Sequence, residues 1–313
     1  MTPSLDIQGH RGARGLLPEN TLPAFARALA IGVTTLELDC AITRDGVVVV
    51  SHDSTLNPEI TRDDGDESGG WITRDDLAIN QFTFDELQRF DVGRINPACE
   101  YAKHFPRQQS VDGTRMPKLE DVFALARWAG DTRVRFNIET KISPLHPGRT
   151  VPPEDFADAL IYVIKNNGLR QRVTIQSFDW RTLAAVQRIA PGVTTACLTA
   201  QQPFMDNIRA HDTSSPWNAG LHVSQFDGSV PRMVKAAGSA IWSPCSNDIG
   251  AACVDEAHAL GLRVVVWTVN TEAEMWRMIE LGVDGIISDY PAVLRRVAGE
   301  CGFALPAPIA VNL

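Results

Sequence analysis

Residues 7–53 read IQGHRGARGLLPENTLPAFARALAIGVTTLELDCAITRDGVVVVSHD. The segment predicts a short strand, a helix with Pro23 in its first turn, and a second strand at residues 33–39. A turn at Asp45-Gly46 then leads into a further extended segment. Each apolar run ends in polar residues that are costly to bury unless something uses them. The stretch therefore predicts an α/β unit with chemistry at its strand ends.

Charged side chains close the apolar runs of this stretch. Glu37 and Asp39 lie two residues apart on a predicted strand, so period-two alternation points both carboxylates to one side. His10 and His52 end two other runs, and Arg11 follows the first of them. Two imidazoles, an arginine and paired carboxylates at strand ends indicate a metal-assisted reaction on an anionic substrate.

The composition is that of a globular protein with a full core: 44% of the 313 residues are hydrophobic and 21% are charged. This length is compatible with two domains or with one α/β barrel. The net charge of −9 argues against a nucleic-acid partner, which needs a basic surface. It does not argue against a small anionic substrate, because a few local cations and a metal can reverse the potential in one cleft.

The six cysteines form no CxxC pair and no zinc-site spacing, so free and mostly buried thiols are expected. No apolar run is long enough for stable membrane insertion. The first predicted strand begins within a few residues of Met1 and leaves no room for a signal peptide. The sequence as written predicts a cytoplasmic protein. A periplasmic or secreted location remains an alternative if a signal peptide has been removed.

Strands and helices alternate along most of the remaining chain. Residues 56–117 interrupt the alternation: they are rich in Asp, Gly, Asn and Pro, with one short helix predicted at residues 84–90. Many predicted strands are nearly continuous apolar runs, which is typical of parallel strands buried on both faces. Eight main strands favour a (β/α)8 TIM barrel over a doubly wound sheet. We expect one barrel domain over residues 1–313, with an insertion at about 56–117 that covers one face of the core.

Polar or aromatic residues recur where the predicted strands end. They are His10, Glu37, Asp39, Glu139, Lys141, Gln176 and Trp267. Barrel enzymes place their active sites at the face where the strands end. The pattern therefore predicts one barrel with one active-site mouth.

Taken together and in order, these motifs resemble the glycerophosphodiester phosphodiesterase family. The matching pieces are His10-Arg11-Gly12 with Glu19-Asn20-Thr21, Glu37-Leu38-Asp39, His52-Asp53, Glu139-Thr140-Lys141, Gln176-Ser177-Phe178, Trp267-Thr268-Val269-Asn270 and Asp284-Gly285-Ile286-Ile287-Ser288-Asp289. They span nearly the whole chain. The resemblance implies a TIM barrel that hydrolyses small glycerol phosphodiesters with a divalent metal.

The resemblance also implies a metal site at Glu37, Asp39 and Glu139. Hard oxygen ligands of this kind suit Mg²⁺ or Ca²⁺ better than zinc. An alternative without a metal is that Glu37 and Asp39 form salt bridges with Arg11 and Lys141.

For the reaction itself, the resemblance implies that His10 and His52 are the acid/base pair. Imidazole suits both proton transfers because its unperturbed pKa of about 6.5 lies near neutral pH. Arg11 and Lys141 are implied to hold the phosphate, Arg11 through two oxygens at once. The roles of the two histidines are not distinguished by sequence, and neither are direct attack by water and attack through a cyclic phosphate.

Four further residues have two interpretations each. Gln176 orients the substrate or satisfies backbone groups, and Trp267 packs against the glycerol carbons or belongs to the core. Asn20 belongs to the functional motif or caps the helix, and Glu19 supports the residues of the site or has only a structural role.

The predicted reaction is hydrolysis of a glycerophosphodiester to glycerol 3-phosphate and an alcohol. We expect the insertion to line the pocket for the alcohol, and its stretch at residues 56–70 is longer and more acidic than is usual in the family. A lysophospholipase D-like enzyme is one alternative, although it needs an apolar channel and the insertion contains few aromatic residues. Two others are a non-catalytic phosphate-binding barrel, which does not need two histidines, and an isomerase on the same fold.

Overall fold

The computed structural model describes residues 4–65 and 70–311, and it contains a closed barrel of parallel strands. The barrel strands are β1 (Asp6–Gly9), β2 (Thr35–Ile42), β3 (Arg135–Thr140), β4 (Val173–Ser177), β5 (Thr194–Thr199), β6 (Ile241–Pro244), β7 (Arg263–Val266) and β8 (Gly285–Ser288). Each strand pairs with the next in chain order, and β1 pairs in parallel with both β2 and β8. These pairings confirm the predicted (β/α)8 barrel.

Helices follow the strands around the outside of the barrel. They are α1 (Leu22–Ile31), α2 (Leu119–Trp128), α3 (Pro153–Asn166), α4 (Trp180–Ile189), α5 (Val230–Ala236), α6 (Ala251–Ala259), α7 (Glu272–Glu280) and α8 (Pro291–Glu300). Helix α1 begins where the sequence predicts it, because the Thr21 side chain caps Ala24 N–H. It ends at Gly32, whose left-handed conformation (φ 87°) favours glycine.

Strand β2 continues beyond its predicted end at residue 39. All eight of its residues are buried, and its last three pair antiparallel with the short strand Val48–Val50. That pairing provides hydrogen-bond partners for the backbone of residues 40–42, so the chain stays extended. The returning strand carries the chain back along β2, where Ser51 N–H donates to Asp39 O at 3.0 Å. This return brings His52 to the end of β2.

The insertion has a small core of its own that packs on β2 and the returning strand. The cluster contains Ala41, Val49, Leu56, Ile79, Leu87, Phe90 and Met116. The helix predicted at residues 84–90 ends at Leu87, and the chain continues into the short strand Phe90–Asp91, which pairs with Arg62–Asp63. A second helix, Glu100–His104, was not predicted. Residues 66–69 of the insertion lie outside the described residues.

Several smaller elements complete the described chain. They are the 3-10 helices Ile79–Gln81, Pro147–Arg149, Val223–Phe226 and Ser246–Asp248, and the two-stranded hairpin of Gln201–Gln202 with Met205–Asp206. All six cysteines are free, as predicted, and three of them are buried. Among the described residues, no helix is both long and apolar enough to cross a membrane.

Replacing Phe136 by alanine should strongly destabilise the barrel. This β3 side chain is 1% exposed, and its ring meets Phe123 of α2 edge-on at 4.8 Å. The cavity left behind should lower the free energy of unfolding by about 3–5 kcal/mol, measured by urea denaturation. Trp128→Ala is the matched control, since that side chain at the end of α2 is 82% exposed. Equal losses in the two variants would contradict this account of the core.

Candidate active site

Three carboxylates lie together where β2 and β3 end. Glu37, Asp39 and Glu139 are buried, and each offers an oxygen within 4.8 Å of the other two. Strand register produces the cluster, because Asp39 pairs directly with Glu139 and Glu37 lies two residues earlier on the same face. The structure therefore brings the three predicted metal ligands into one group.

The protonation of these carboxylates reflects their crowding. Burial raises the pKa of Glu37 well above its usual range, and repulsion from Asp39 adds to the change. Burial also raises the pKa of Glu139. At Asp39 burial is outweighed by neighbouring positive groups, among them His52 and Arg11, so its pKa is lowered. Burial and mutual repulsion therefore favour the protonated forms of Glu37 and Glu139.

Hydrogen bonds hold each carboxylate in place and leave one oxygen unpaired. Glu37 accepts from the Arg11 backbone N–H and from Gln176 Nε2, both at 2.9 Å. Asp39 Oδ2 accepts from Asn20 Nδ2 at 2.9 Å. Asp39 Oδ1 is buried and has no hydrogen-bond partner among the described residues. An unpaired buried oxygen between two other carboxylates suits a hard divalent cation.

The two predicted phosphate-binding cations lie beside this cluster. Lys141 Nζ is 2.8 Å from Glu139 Oε1 and 3.8 Å from Asp39 Oδ1. Arg11 donates to Glu19 Oε1 at 2.5 Å, and its Nε lies 3.4 Å from Asp39 Oδ2. The metal-free alternative is therefore present in part, since both cations lie within ion-pair distance of Asp39. It does not account for the cluster, because in the described chain Glu37 forms no ion pair with either cation and Asp39 Oδ1, although 3.8 Å from Lys141 Nζ, accepts no hydrogen bond.

His10 is held by a buried aspartate. Its Nδ1 lies 2.7 Å from Asp289 Oδ1, while Nε2 faces Glu37 Oε2 at 3.9 Å. Burial, assisted by the Arg14 charge, lowers the pKa of His10 to about 4, although Asp289 opposes the change. In the neutral ring, Nδ1–H donates to Asp289, and Nε2 is left as the acceptor on the side of the carboxylates.

Asp289 is a functional residue to which the sequence analysis gave no role. It follows β8 and accepts two hydrogen bonds from Arg14, at 2.7 and 2.9 Å, and one from Asn270 at 2.6 Å. His10 and Arg14 keep the pKa of Asp289 far below its usual range, although burial opposes them. The sequence did contain an indication that Asp289 belongs to the site, since Asn270 and Asp289 each end one of the matched motifs.

His52 occupies the more open side of the site. Its side chain is 31% exposed, and its Nδ1 lies 2.9 Å from Asp53 Oδ1. Asp53 is held in turn by Asn57 Nδ2 at 2.9 Å. Each histidine therefore has one ring nitrogen on a carboxylate, which fixes the orientation of the ring.

Two cavities open beside these groups. The inner one, about 130 Å³, is lined by both histidines, Arg11, Glu37, Glu139, Lys141, Gln176 and Trp267, among others. The outer one, about 430 Å³, shares Arg11, His52, Glu139, Lys141 and Trp267 with it. No described residue of 56–117 lines either cavity, so the expectation that the insertion lines the pocket is wrong. The apolar wall of the outer cavity comes instead from Ile142, Phe178, Phe204, Met205 and Trp217.

Gln176 and Trp267 both reach the site. Gln176 accepts from Asn137 Nδ2 at 2.8 Å and donates to Glu37, so its amide is occupied by side chains and not by backbone. Trp267 donates to Ser243 O at 2.9 Å and meets the Phe178 ring edge-on at 5.3 Å. Its ring borders both cavities and also packs against a small apolar cluster of the barrel interior.

The loop between β1 and α1 is tightly constrained. Arg11 and Asn20 adopt left-handed conformations, with φ of 49° and 57°. Between them, Gly12 has φ of 86°, and a Cβ there would lie 2.7 Å from the backbone of Ala24. Only glycine fits this contact, which presses the loop against α1. Asn20 binds Asp39 with its side chain and leaves the helix cap to Thr21.

Comparisons with known proteins agree with this geometry. The profile of the Glycerophosphoryl diester phosphodiesterase family matches residues 10–293. A glycerophosphodiester phosphodiesterase of Caldanaerobacter subterraneus subsp. tengcongensis is 30% identical over 297 residues, covering 95% of this chain and 98% of the relative. A lysophospholipase D of Homo sapiens is 27% identical over 289 residues, covering 91% and 83%.

A solved structure shows the same architecture. It comes from Silicibacter pomeroyi and is provisionally described as a glycerophosphoryl diester phosphodiesterase. Its TM-score is 0.84 at 33% sequence identity, and the match covers 96% of this chain and 95% of that chain. Barrel and loops are therefore shared over nearly the whole length of both proteins.

The lowered pKa of His10 predicts a pH-dependent stability. Between its unfolded pKa of about 6.5 and its folded pKa of about 4, the unfolded chain binds a proton that the folded protein does not. This contribution to stability is present above the unfolded pKa and is lost as the pH falls. In metal-free protein, His10→Asn should therefore gain stability relative to the wild type as the pH is lowered from about 7 to about 5.

Urea denaturation of both proteins at several pH values measures this difference. The comparison with the variant is needed because Glu37 and Glu139, whose pKa values are raised, change stability with the opposite sign. A difference between the two proteins that stays constant with pH would contradict the burial of a neutral His10.

Proposed function

The chain belongs to the glycerophosphoryl diester phosphodiesterase family, and from this membership we propose that it hydrolyses glycerophosphodiesters with a divalent cation and two histidines. The products are glycerol 3-phosphate and an alcohol. One observation carries the proposal: a single inner cavity is lined by His10, His52, two of the clustered carboxylates and three cationic side chains, Arg11 and Lys141 among them. Proton-transfer groups, metal ligands and anion-binding groups thus face the same space.

The cation would be held by Glu37, Asp39 and Glu139. Their oxygens are hard ligands, and the unpaired Asp39 Oδ1 supports a site for Mg²⁺ or Ca²⁺. When bound, such a cation polarises a phosphoryl oxygen and orients the attacking group.

The phosphate would be bound by Arg11 and Lys141. Arg11 is buried and Lys141 is half-buried, and both line both cavities, so a phosphodiester there is partly withdrawn from water and interacts strongly with their charges. Trp267 borders the same space and would pack against the glycerol carbons. Gln176 would act on the substrate from the inner cavity and also keeps Glu37 in place.

The two histidines would transfer the protons. One takes a proton from the attacking hydroxyl or water, and the other gives a proton to the leaving oxygen. At His10 the bond from Nδ1 to Asp289 directs Nε2 into the site. At His52 the bond from Nδ1 to Asp53 would likewise orient the ring and leave Nε2 for proton transfer. Each transfer contributes a factor of roughly 100 to 10,000.

We also propose that residues 1–313 act as one domain. The core of the insertion includes Ala41 of β2 and Val49 of the returning strand, so it is built on the barrel. An insertion that shares its core with two barrel-associated strands is not expected to fold alone.

Release of glycerol 3-phosphate from glycerophosphocholine and glycerophosphoethanolamine tests the function. We expect turnover that EDTA abolishes and that Mg²⁺ or Ca²⁺ restores. His52→Ala should lower kcat by about 100- to 10,000-fold while product binding is retained. The matched control is His104→Ala, at an exposed histidine of the insertion. Folded wild-type protein that releases no product with either metal would refute the assignment.

The outer cavity favours a second candidate, a lysophospholipase D-like activity. A substrate there would have its phosphate near Arg11 and Lys141 and its substituent against an apolar wall. The sequence alone argues against this candidate, because the insertion contains too few aromatic residues to form an apolar channel. The wall of the outer cavity provides the apolar surface instead. An acyl chain on the glycerol would bury apolar surface at this wall, worth about 0.8 kcal/mol for each methylene.

The ratio of turnover on lysophosphatidylcholine to that on glycerophosphocholine distinguishes the two candidates. Phe204 lies at the rim of the outer cavity with 70% of its surface exposed. If acyl chains bind this wall, Phe204→Asp should lower the ratio by about tenfold, the equivalent of 1.4 kcal/mol. Trp128→Asp, at another exposed aromatic residue that lies away from the cavities, should leave this ratio unchanged. A wild type that acts only on glycerophosphocholine would exclude the second candidate.

A further inference from the structure

The helix Glu100–His104 of the insertion contacts the active site from behind, through the hydroxyl of Tyr101. This hydroxyl donates to Glu19 and accepts from Arg14 Nη1 at 3.2 Å. Glu19 is the carboxylate that pairs with Arg11. Arg14 is the cation that holds Asp289 with two hydrogen bonds. One phenol group thus joins two chains of contacts, and each chain ends at a proposed functional residue.

The first chain leads to the phosphate-binding arginine. Tyr101 holds Glu19, and Glu19 holds Arg11, whose Nε lies near Asp39. Glu19 and Arg11 are both buried. A buried ion pair needs good geometry and further hydrogen bonds to offset the loss of hydration, and the Tyr101 hydroxyl supplies one of them.

The second chain leads to the proposed proton-transfer group. Tyr101 contacts Arg14, Arg14 holds Asp289, and Asp289 holds His10 Nδ1. Arg11 and Arg14 repel each other, which opposes their placement in one loop. Glu19, kept beside both by Tyr101, offsets this repulsion, because both arginines lower its pKa although burial opposes them.

Further contacts fasten the same part of the insertion to the loop. The Phe105 ring meets Tyr101 edge-on at 5.1 Å, and the Arg14 guanidinium lies 4.7 Å from the centre of that ring. Gln108 Nε2 donates to Arg14 O at 2.7 Å, and Gln109 N–H donates to Leu16 O of the same loop at 2.9 Å. The insertion is therefore bound to the loop by side chains and by backbone.

The loop needs such support. Arg11 and Asn20 hold left-handed conformations that cost about 1–3 kcal/mol each and persist only where the surroundings enforce them. A phenylalanine ring at position 101 would also pack on Phe105. The hydroxyl of Tyr101, by contrast, has both its partners in the β1–α1 loop.

We propose that Tyr101 is a positioning residue, through which the insertion orients Arg11 and His10 for catalysis without entering the substrate cavity. This inference rests on the proposed function, since it takes Arg11 as the phosphate-binding residue and His10 as a proton-transfer residue. Burial raises the pKa of Tyr101, and the Glu19 charge adds to the change, so the phenol remains a hydrogen-bond donor at neutral pH.

Tyr101→Phe tests the proposal, because it removes the hydroxyl and keeps the ring. We expect kcat on glycerophosphocholine to fall about tenfold or more and the Kd for glycerol 3-phosphate to rise, with Tm nearly unchanged. The loss of kcat tests the chain of contacts that ends at His10. The weaker product binding tests the chain that ends at Arg11. Lys103→Ala is the control, since its side chain on the same helix is 72% exposed and pairs only with Glu100 among the described residues.

A double-mutant cycle separates positioning from a general structural effect. If Tyr101 acts on Arg11 through Glu19, Tyr101→Phe should add little to the rise in the Kd for glycerol 3-phosphate already caused by Glu19→Gln. Fully additive increases in this Kd, or a Tyr101→Phe enzyme with the kcat and product affinity of the wild type, would overturn the proposal.

Failure of the proposed function has a different signature, since it shows as a wild type without turnover. In that case ¹⁵N chemical shifts of the His10 ring, compared between wild type and Tyr101→Phe without substrate, still test the inference. Unchanged shifts would overturn it.

Discussion

Three buried carboxylates within 4.8 Å of one another are the constraint around which this protein is built. Two unit charges 4 Å apart repel by about 4 kcal/mol at the effective dielectric constant of a protein surface, and more in the interior. The fold offsets this repulsion with two neighbouring cations, Arg11 and Lys141, and with the amides of Asn20 and Gln176. The same arrangement that makes the cluster costly without a metal makes it a good site for a divalent cation.

The barrel interior contains both a network of polar side chains that supports the carboxylates and a cluster of packed apolar side chains. On one side a chain of side-chain amides, from Gln8 through Asn137 and Gln176, ends at Glu37. On the other side Ala196, Ile241, Val265 and Ile287 form a small apolar cluster next to Trp267. The amide chain satisfies buried polar groups, so the carboxylate at its end is held by a connected network and not by one contact.

The insertion and the hairpin after β5 lie at different places around the barrel mouth. The acidic insertion, expected over the pocket, packs behind the β1–α1 loop and contacts it through Tyr101, Phe105 and Gln108. The short hairpin after β5 provides apolar walls at the mouth instead, with Phe204 and Met205 beside the outer cavity. The described part of the insertion and the hairpin thus contact different parts of the mouth.

The sequence by itself determined the class of fold and the main chemical groups. Period-two alternation put Glu37 and Asp39 on one face, and apolar runs with polar ends indicated a parallel barrel. These are local patterns, so they can be read without knowing what lies nearby. The tertiary structure alone decided that Asp289 holds His10, that one buried oxygen of Asp39 accepts no hydrogen bond from the described residues, and that the described part of the insertion stays out of the cavities. Such facts depend on contacts between residues far apart in the chain, as between His10 and Asp289, and no local pattern encodes their distance or their partners.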